Sequence, residues 1–209
     1  MIFKFNKKEI FWIILSIIIL GFIIEFSTAY TVNLKGFIYA AIIILTSVLI
    51  KNLAADYFYV NIEHKIWEFK QYWFTTRAHF KKPIPIGLIL PFFTAFISIG
   101  TIKIMALLQF NGKPSKKRLL KKRGEVRKAE INESDFAFIS AWASWSLILL
   151  AIIATLVKQP ELAKYSIYYG FWNLLPISQL DGAKLFFGSF INWILLIIVY
   201  IISLVVVLI

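Results

Sequence analysis

A succession of long apolar segments limits the possible folds of this chain more than any other feature. With 60% hydrophobic side chains and a mean hydropathy of +0.77 over 209 residues, the chain has more apolar surface than a soluble core could bury. A helix of about 20 apolar residues crosses the roughly 30 Å of hydrocarbon in a bilayer. We therefore predict an all-α, polytopic integral membrane protein whose single domain covers residues 1–209.

The apolar segments predict about five to six transmembrane segments, one of which is re-entrant or broken. They cover residues 10–26, 36–55, 83–110, 136–157, 165–182 and 186–209. A basic loop, residues 111–135, separates the third segment from the fourth. Basic loops tend to stay in the cytoplasm. We therefore expect a protein of the cell membrane with its N-terminus and this loop on the cytoplasmic side.

The third apolar segment is not a simple span. It is interrupted by Pro85, Gly87, Pro91 and Gly100. Because both of its flanks are basic, a single crossing would place one basic loop outside. A re-entrant pair of half-helices, bent near Pro91 or Gly100, removes this conflict if neighbouring helices shield its backbone.

Charge and cysteine content exclude several classes of partner and site. The net charge of +12 lies mainly between the apolar segments, where it sets topology and meets anionic lipid headgroups. We therefore expect membrane lipids as partners and no nucleic acid. The chain has no cysteine, so disulfides and thiolate metal sites are excluded. Its two histidines are His64 and His79.

A polar cluster with a carboxylate interrupts the apolar C-terminal third. Its pattern is Asn173-x-x-Pro176-x-x-x-Leu180-Asp181-Gly182. An acid at membrane depth is costly, which indicates a functional role. Residues 34–51 and 165–181 are of similar length, so the helical rise places Lys51 and Asn52 at the same depth as Asp181, near the cytoplasmic side.

This pattern is similar to the second signature of the site-2 protease family, which are intramembrane zinc metalloproteases. The resemblance implies a site-2-protease-like helical core in which Asp181 stands at the position of the third zinc ligand. The family's first signature is His-Glu-x-x-His at the end of the second span, and the matching residues here are 51–55. Lys51 and Ala55 stand at the histidine positions, and Asn52 stands at that of the glutamate.

Two weaker similarities extend this resemblance to about residues 37–190. Residues 139–151 are similar to the family's Ala-Gly-Pro-x-x-Asn helix, with Trp142, Ala143 and Ser146 in place of its glycine, proline and asparagine. Residues 81–87 resemble a segment of archaeal members. The chain is thus identified as a degenerate, archaeal-type member of the family.

We derive the predicted activity from the absence of two of the three zinc ligands. A catalytic zinc site uses three protein ligands and an open position, and only Asp181 remains of those three. We therefore predict a pseudoprotease without a bound cofactor, which acts in regulated proteolysis by binding transmembrane segments of partner proteins. Its degenerate site consists of Lys51, Asn52, Ala55, Asn173 and Asp181.

Several alternatives remain open at this stage. Lys51 either pairs with Asp181 or extends to the interface while Asp181 caps the Asp-Gly turn. Asn173 either orients a substrate backbone, as the resemblance implies, or only bonds between helices. The protein as a whole is alternatively a metalloendopeptidase completed by a displaced histidine, His64 or His79, or by a partner chain. A transporter using Lys51 and Asp181 is a further alternative.

Overall fold

The computed structural model describes residues 6–26, 34–71, 79–115 and 131–208. Most of these residues are helical, as predicted. The helices are α1 (Lys7–Glu25), α2 (Leu34–Tyr57), α3 (Ile86–Ile97), α4 (Glu133–Leu156), α5 (Pro160–Leu174), α6 (Asp181–Gly188) and α7 (Phe190–Leu208). The strands are β1 (Val60–Ile66), β2 (Phe69–Gln71), β3 (His79–Ile84) and β4 (Leu108–Pro114). Of the predicted basic loop, residues 116–130 lie outside the described residues.

The strands correct the all-α prediction. β1 pairs with β4 and β2 pairs with β3, both antiparallel. Val60, His64 and Ile66 of β1 are buried and separated by more exposed residues. This alternation is typical of a half-buried strand. The segment after α2 is therefore a strand packed against the helices.

Three helices of the described chain are long and apolar enough to cross a membrane, namely α2, α4 and α7. α1 has a similar length, but Lys7, Lys8, Glu9 and Glu25 stand at its ends. α5 has 15 residues, which span only roughly 22 Å. An integral membrane protein is thus supported, while the predicted number of five to six crossings stays a prediction.

The third apolar segment leaves the sheet and returns to the place where it began. Its start and its end both bond to Trp67: the Gly87 N–H donates to the Trp67 carbonyl, and the Trp67 N–H donates to the Leu107 carbonyl. Only the outward half, α3, is helical, so the predicted pair of half-helices is wrong in its second half. The helix stops because Ile99 and Gly100 adopt left-handed conformations, with φ of 51° and 77°, and the chain returns in extended form.

The predicted last span is divided. α6 ends at Gly188 and α7 begins at Phe190, so a single helix from residue 186 is not present. A Cβ added to Gly188 would lie 2.7 Å from the Ala137 Cβ, and closer still to the Glu133 carbonyl oxygen. The backbone of α6 therefore packs directly on α4, and α7 starts again in a new direction.

The core is formed by buried side chains of α1, α2, α4, α5 and α7. Tyr200 of α7 is fully buried and donates a hydrogen bond of 2.8 Å from its hydroxyl to the Ser144 carbonyl oxygen of α4. Its ring lies against Gly170 of α5, where any side chain would collide with it. This contact joins three helices beside the strands and positions α5 and α6 for the polar cluster described next.

Candidate functional site

Lys51 and Asp181 form a buried ion pair. Lys51 Nζ lies 2.5 Å from Asp181 Oδ2, and the two side chains are 3% and 4% exposed. The contact left open by the sequence is therefore confirmed, and Lys51 does not extend to the interface. Asp181 does not cap a turn, because it is the first residue of α6 and Leu180 holds the N-cap position.

The Asp-Gly sequence brings α6 close enough to make this pair. A Cβ on Gly182 would overlap the carbonyl oxygen of Leu174 and approach that of Leu175. Only glycine allows this contact between backbones. Pro176 stops α5 before it, since the residue preceding a proline is forced into an extended conformation, as Leu175 is. The turn thus delivers Asp181 into the core, toward α2.

Lys184 is a third charged member of the site that the sequence analysis missed. Its Nζ donates a hydrogen bond of 2.6 Å to the Phe110 carbonyl oxygen. The same Nζ lies 3.3 Å from the centroid of the Phe110 ring, and Lys51 Nζ lies 5.5 Å from that centroid. The spacing of Asp181 and Lys184, three residues apart on one helix, was the available signal. The site thus contains two lysine amino groups and one carboxylate, and burial lowers the pKa of Lys184 to about 7.

His64 of β1 lies beside this cluster. It stands opposite Phe110 in the β1–β4 register and is buried, and its backbone N–H donates a hydrogen bond of 2.9 Å to Glu9 Oε1. Burial, together with the positive charges of Lys51 and Lys184, lowers the pKa of the His64 imidazole to about 3. Its Nε2 has no hydrogen-bond partner among the described residues. The imidazole is therefore neutral at physiological pH.

The residues of the site do not fit a zinc ion. Within the described ranges, no three His, Cys, Asp or Glu side chains converge as a metal site requires. His64 and Asp181 are at most two ligands, and both lie near ammonium groups that repel a cation. His79 lies in β3, which belongs to the other sheet.

Asn52 and Ala55 of the degenerate site line a different cavity from the ion pair, whereas Asn173 lies near the pair. Asn52 and Ala55 line a polar cavity of about 430 Å³ together with Glu9. Asn173 is buried near the pair and donates from Nδ2 to the Tyr169 carbonyl oxygen of its own helix at 2.8 Å. The structure therefore brings Lys51 and Asp181 together, but it separates them from Asn52 and Ala55.

A smaller cavity lies on the Lys184 side of the cluster. It measures about 250 Å³ and its lining includes Asn111, Phe136, Ser178, Lys184 and Phe187. Ser178 adopts a left-handed conformation with φ of 52°, which is strained for a residue other than glycine. The cavity gives access to the charged cluster from the side of β4 and α6.

Comparison of the chain with protein-family models, with curated proteins and with solved structures finds no match.

Proposed function

We propose that this chain is a site-2-protease-like membrane protein that has lost zinc and proteolytic activity and binds membrane segments of partner proteins. The buried pair between Lys51 and Asp181 carries this proposal. The one ligand-type residue kept from the family pattern is engaged by an ammonium group. In this arrangement Lys51 places a positive charge where the family's metal would stand and pairs with the Asp181 carboxylate in the core.

The residues around the pair support binding over hydrolysis. A protonated lysine has three N–H donors and no lone pair for a metal. Asn52, at the position of the family's glutamate, cannot act as a general base because its amide does not take up a proton. Ala55 offers no ligand atom. Hydrolysis of a peptide bond by a zinc-bound water would therefore lack both the metal and the base.

Unpaired polar atoms near the pair favour a bound polypeptide backbone. Asp181 Oδ1 and Asn173 Oδ1 are buried and find no hydrogen-bond partner within the described part of the chain. Each such atom costs about 1–3 kcal/mol if left unpaired. A segment whose helix unwinds here offers free backbone N–H groups to these two acceptor oxygens. The resemblance also implies that Asn173 orients a backbone.

The cavity beside Lys184 is our candidate for the contact with a partner side chain. Its volume of about 250 Å³ lies below the roughly 300–1,000 Å³ of small-molecule pockets, so it suits a single side chain better. Phe136 and Phe187 supply apolar walls. The proposed orientation puts this cavity at the cytoplasmic side of the cell membrane, together with the N-terminus and the basic loop.

Site-specific photocrosslinking in membranes tests the binding proposal. A benzophenone amino acid replaces Phe187, which lines the cavity and is 73% exposed, and in the matched control it replaces Ile191, which is 80% exposed on α7. We expect a discrete protein adduct from position 187 that is absent from position 191. Lipid adducts alone at both positions would contradict the proposal.

Elemental analysis tests the loss of zinc separately. We expect background zinc in the wild-type protein purified without chelator and in Asp181→Ala. Near-stoichiometric zinc that disappears in Asp181→Ala and in His64→Ala would overturn the pseudoprotease proposal. It would instead support the altered metalloendopeptidase, for which the unpaired His64 Nε2 is the favourable observation.

A further inference from the structure

A cavity of about 440 Å³ lies far from the Lys51–Asp181 pair. Its lining includes Lys103 of the returning third apolar segment and residues of α5 and α7. Lys103 bonds to the end of α1 at Ile24, and the adjoining Glu25 carboxylate accepts a hydrogen bond from Gly36, at the start of α2. Lys51 lies four turns further along α2, roughly 22 Å away. The cavity therefore belongs to the opposite end of the helices.

Lys103 is held in place at the rim of this cavity. Its Nζ donates to the Ile24 carbonyl oxygen at 2.8 Å and to the Tyr165 hydroxyl at 3.3 Å. The ammonium also lies 5.0 Å from the centroid of the Tyr165 ring. An ammonium has three N–H groups, so one remains for a ligand. Because the position is fixed in advance, a ligand loses little of its binding energy in ordering this side chain.

A second lysine makes the rim positive. Lys164 lines the same cavity, with its Nζ 5.7 Å from the centroid of the Tyr168 ring. Glu25 and Glu161 lie near enough to attract Lys103. Among the described residues that line the cavity, however, the charged ones are the two lysines. The charge presented to a ligand is therefore positive.

Below the rim, the wall becomes apolar. Tyr168, Phe171 and Trp172 follow Lys164 on α5 at helical spacing and share one face with it. Leu204 of α7 forms the facing wall. Positive charge at one end and aromatic and aliphatic side chains below it match an amphiphile with an anionic head and an acyl chain.

We propose that this cavity binds an anionic phospholipid, with its phosphate between Lys103 and Lys164 and an acyl chain along Trp172 and Leu204. This inference is independent of the proposed function, since it uses none of the residues of the charged cluster. Phospholipid is the occupant because the cavity opens beside α7, which is long enough to span a membrane, and its charged and apolar ends are arranged as those of a lipid are.

Fluorescence quenching in nanodiscs tests the site. Brominated acyl chains quench tryptophan on contact, and subtracting the signal of Trp172→Phe isolates Trp172 from the other tryptophans. We compare brominated phosphatidylglycerol with brominated phosphatidylcholine, each diluted in unlabelled phosphatidylcholine. We expect half-maximal quenching of Trp172 at a phosphatidylglycerol fraction lower by on the order of tenfold, because each nearby lysine favours an anionic headgroup.

Charge variants distinguish a specific lipid-binding site from non-specific attraction of anionic lipids by the positive charge of the protein. The double variant Lys103→Gln/Lys164→Gln should lose the preference for phosphatidylglycerol, and the charge-preserving Lys103→Arg/Lys164→Arg should keep it. Lys158→Gln removes an exposed lysine from the neighbouring α4–α5 connection and should leave the preference unchanged. Equal quenching by the two lipids, or an equal loss in Lys158→Gln, would overturn the proposal. An unchanged elution profile shows that a variant is folded.

Discussion

Removing Asp181 should destabilise the protein more than removing Lys51. Asp181 pairs with Lys51 and also attracts the positive charge of Lys184, whose pKa burial lowers to about 7. Asp181→Asn leaves Lys51 buried without a carboxylate partner, whereas Lys51→Met leaves Lys184 near Asp181 as a counter-ion. Uncompensated buried charge costs about 3–5 kcal/mol, which we expect for Asp181→Asn. For Lys51→Met we expect about 1–3 kcal/mol, the range for a lost buried hydrogen-bonding partner.

The double variant Lys51→Met/Asp181→Asn provides the control. Its loss should be at least about 2 kcal/mol smaller than the sum of the two single losses, because interacting residues are not additive. Reversible unfolding in mixed detergent micelles, followed by circular dichroism, measures each free energy of unfolding. A smaller loss for Asp181→Asn than for Lys51→Met, or additive losses, would refute the charge arrangement described here.

Three further predictions concern the surroundings of the pair. Gly182→Ala should lower the free energy of unfolding by more than about 2 kcal/mol, since its Cβ would overlap the Leu174 carbonyl oxygen; the same unfolding assay measures this loss, and a wild-type value would contradict the contact. The free energy of unfolding should fall by about 2 kcal/mol between pH 7 and pH 5, because His64 takes up a proton on unfolding while its folded pKa is about 3. His64→Gln should remove this part of the pH dependence, and an identical pH profile in the variant would contradict it. Tyr200→Phe should cost about 1 kcal/mol through loss of the hydrogen bond to Ser144, and Tyr200→Leu should cost more, because it also leaves a cavity.

The similar depth of Lys51 and Asp181 could be predicted from the sequence, because depth follows from the length of each apolar segment. The rise of a helix fixes how far each residue lies from the end of its apolar segment. Two segments of similar length therefore bring their charged ends to a similar level. The sequence could not choose between contact and mere proximity, since that depends on how far the close packing of Gly182 brings α6 toward α2.

Features set by tertiary contacts were not accessible in the same way. The division at Gly188 lies inside a continuous apolar run, and hydropathy does not show where one helix packs on the backbone of another. β1 and β4 are distant in sequence, and each is too short to be assigned as a strand from its own pattern. They can pair only because the third apolar segment returns to Trp67. Lys184 lies just beyond the residues compared for depth, so its approach to Phe110 was missed.

Lys51 is synthesised earlier than Asp181, its counter-ion. The two residues are 181 − 51 = 130 positions apart, so a ribosome adding about 5–20 residues per second delivers Asp181 roughly 7–26 s after Lys51. An unpaired ammonium is costly in hydrocarbon. During this interval, Lys51 has to remain in water at the membrane surface or be covered by another protein. The final burial of Lys51 against Asp181 is therefore completed only after α6 has been made.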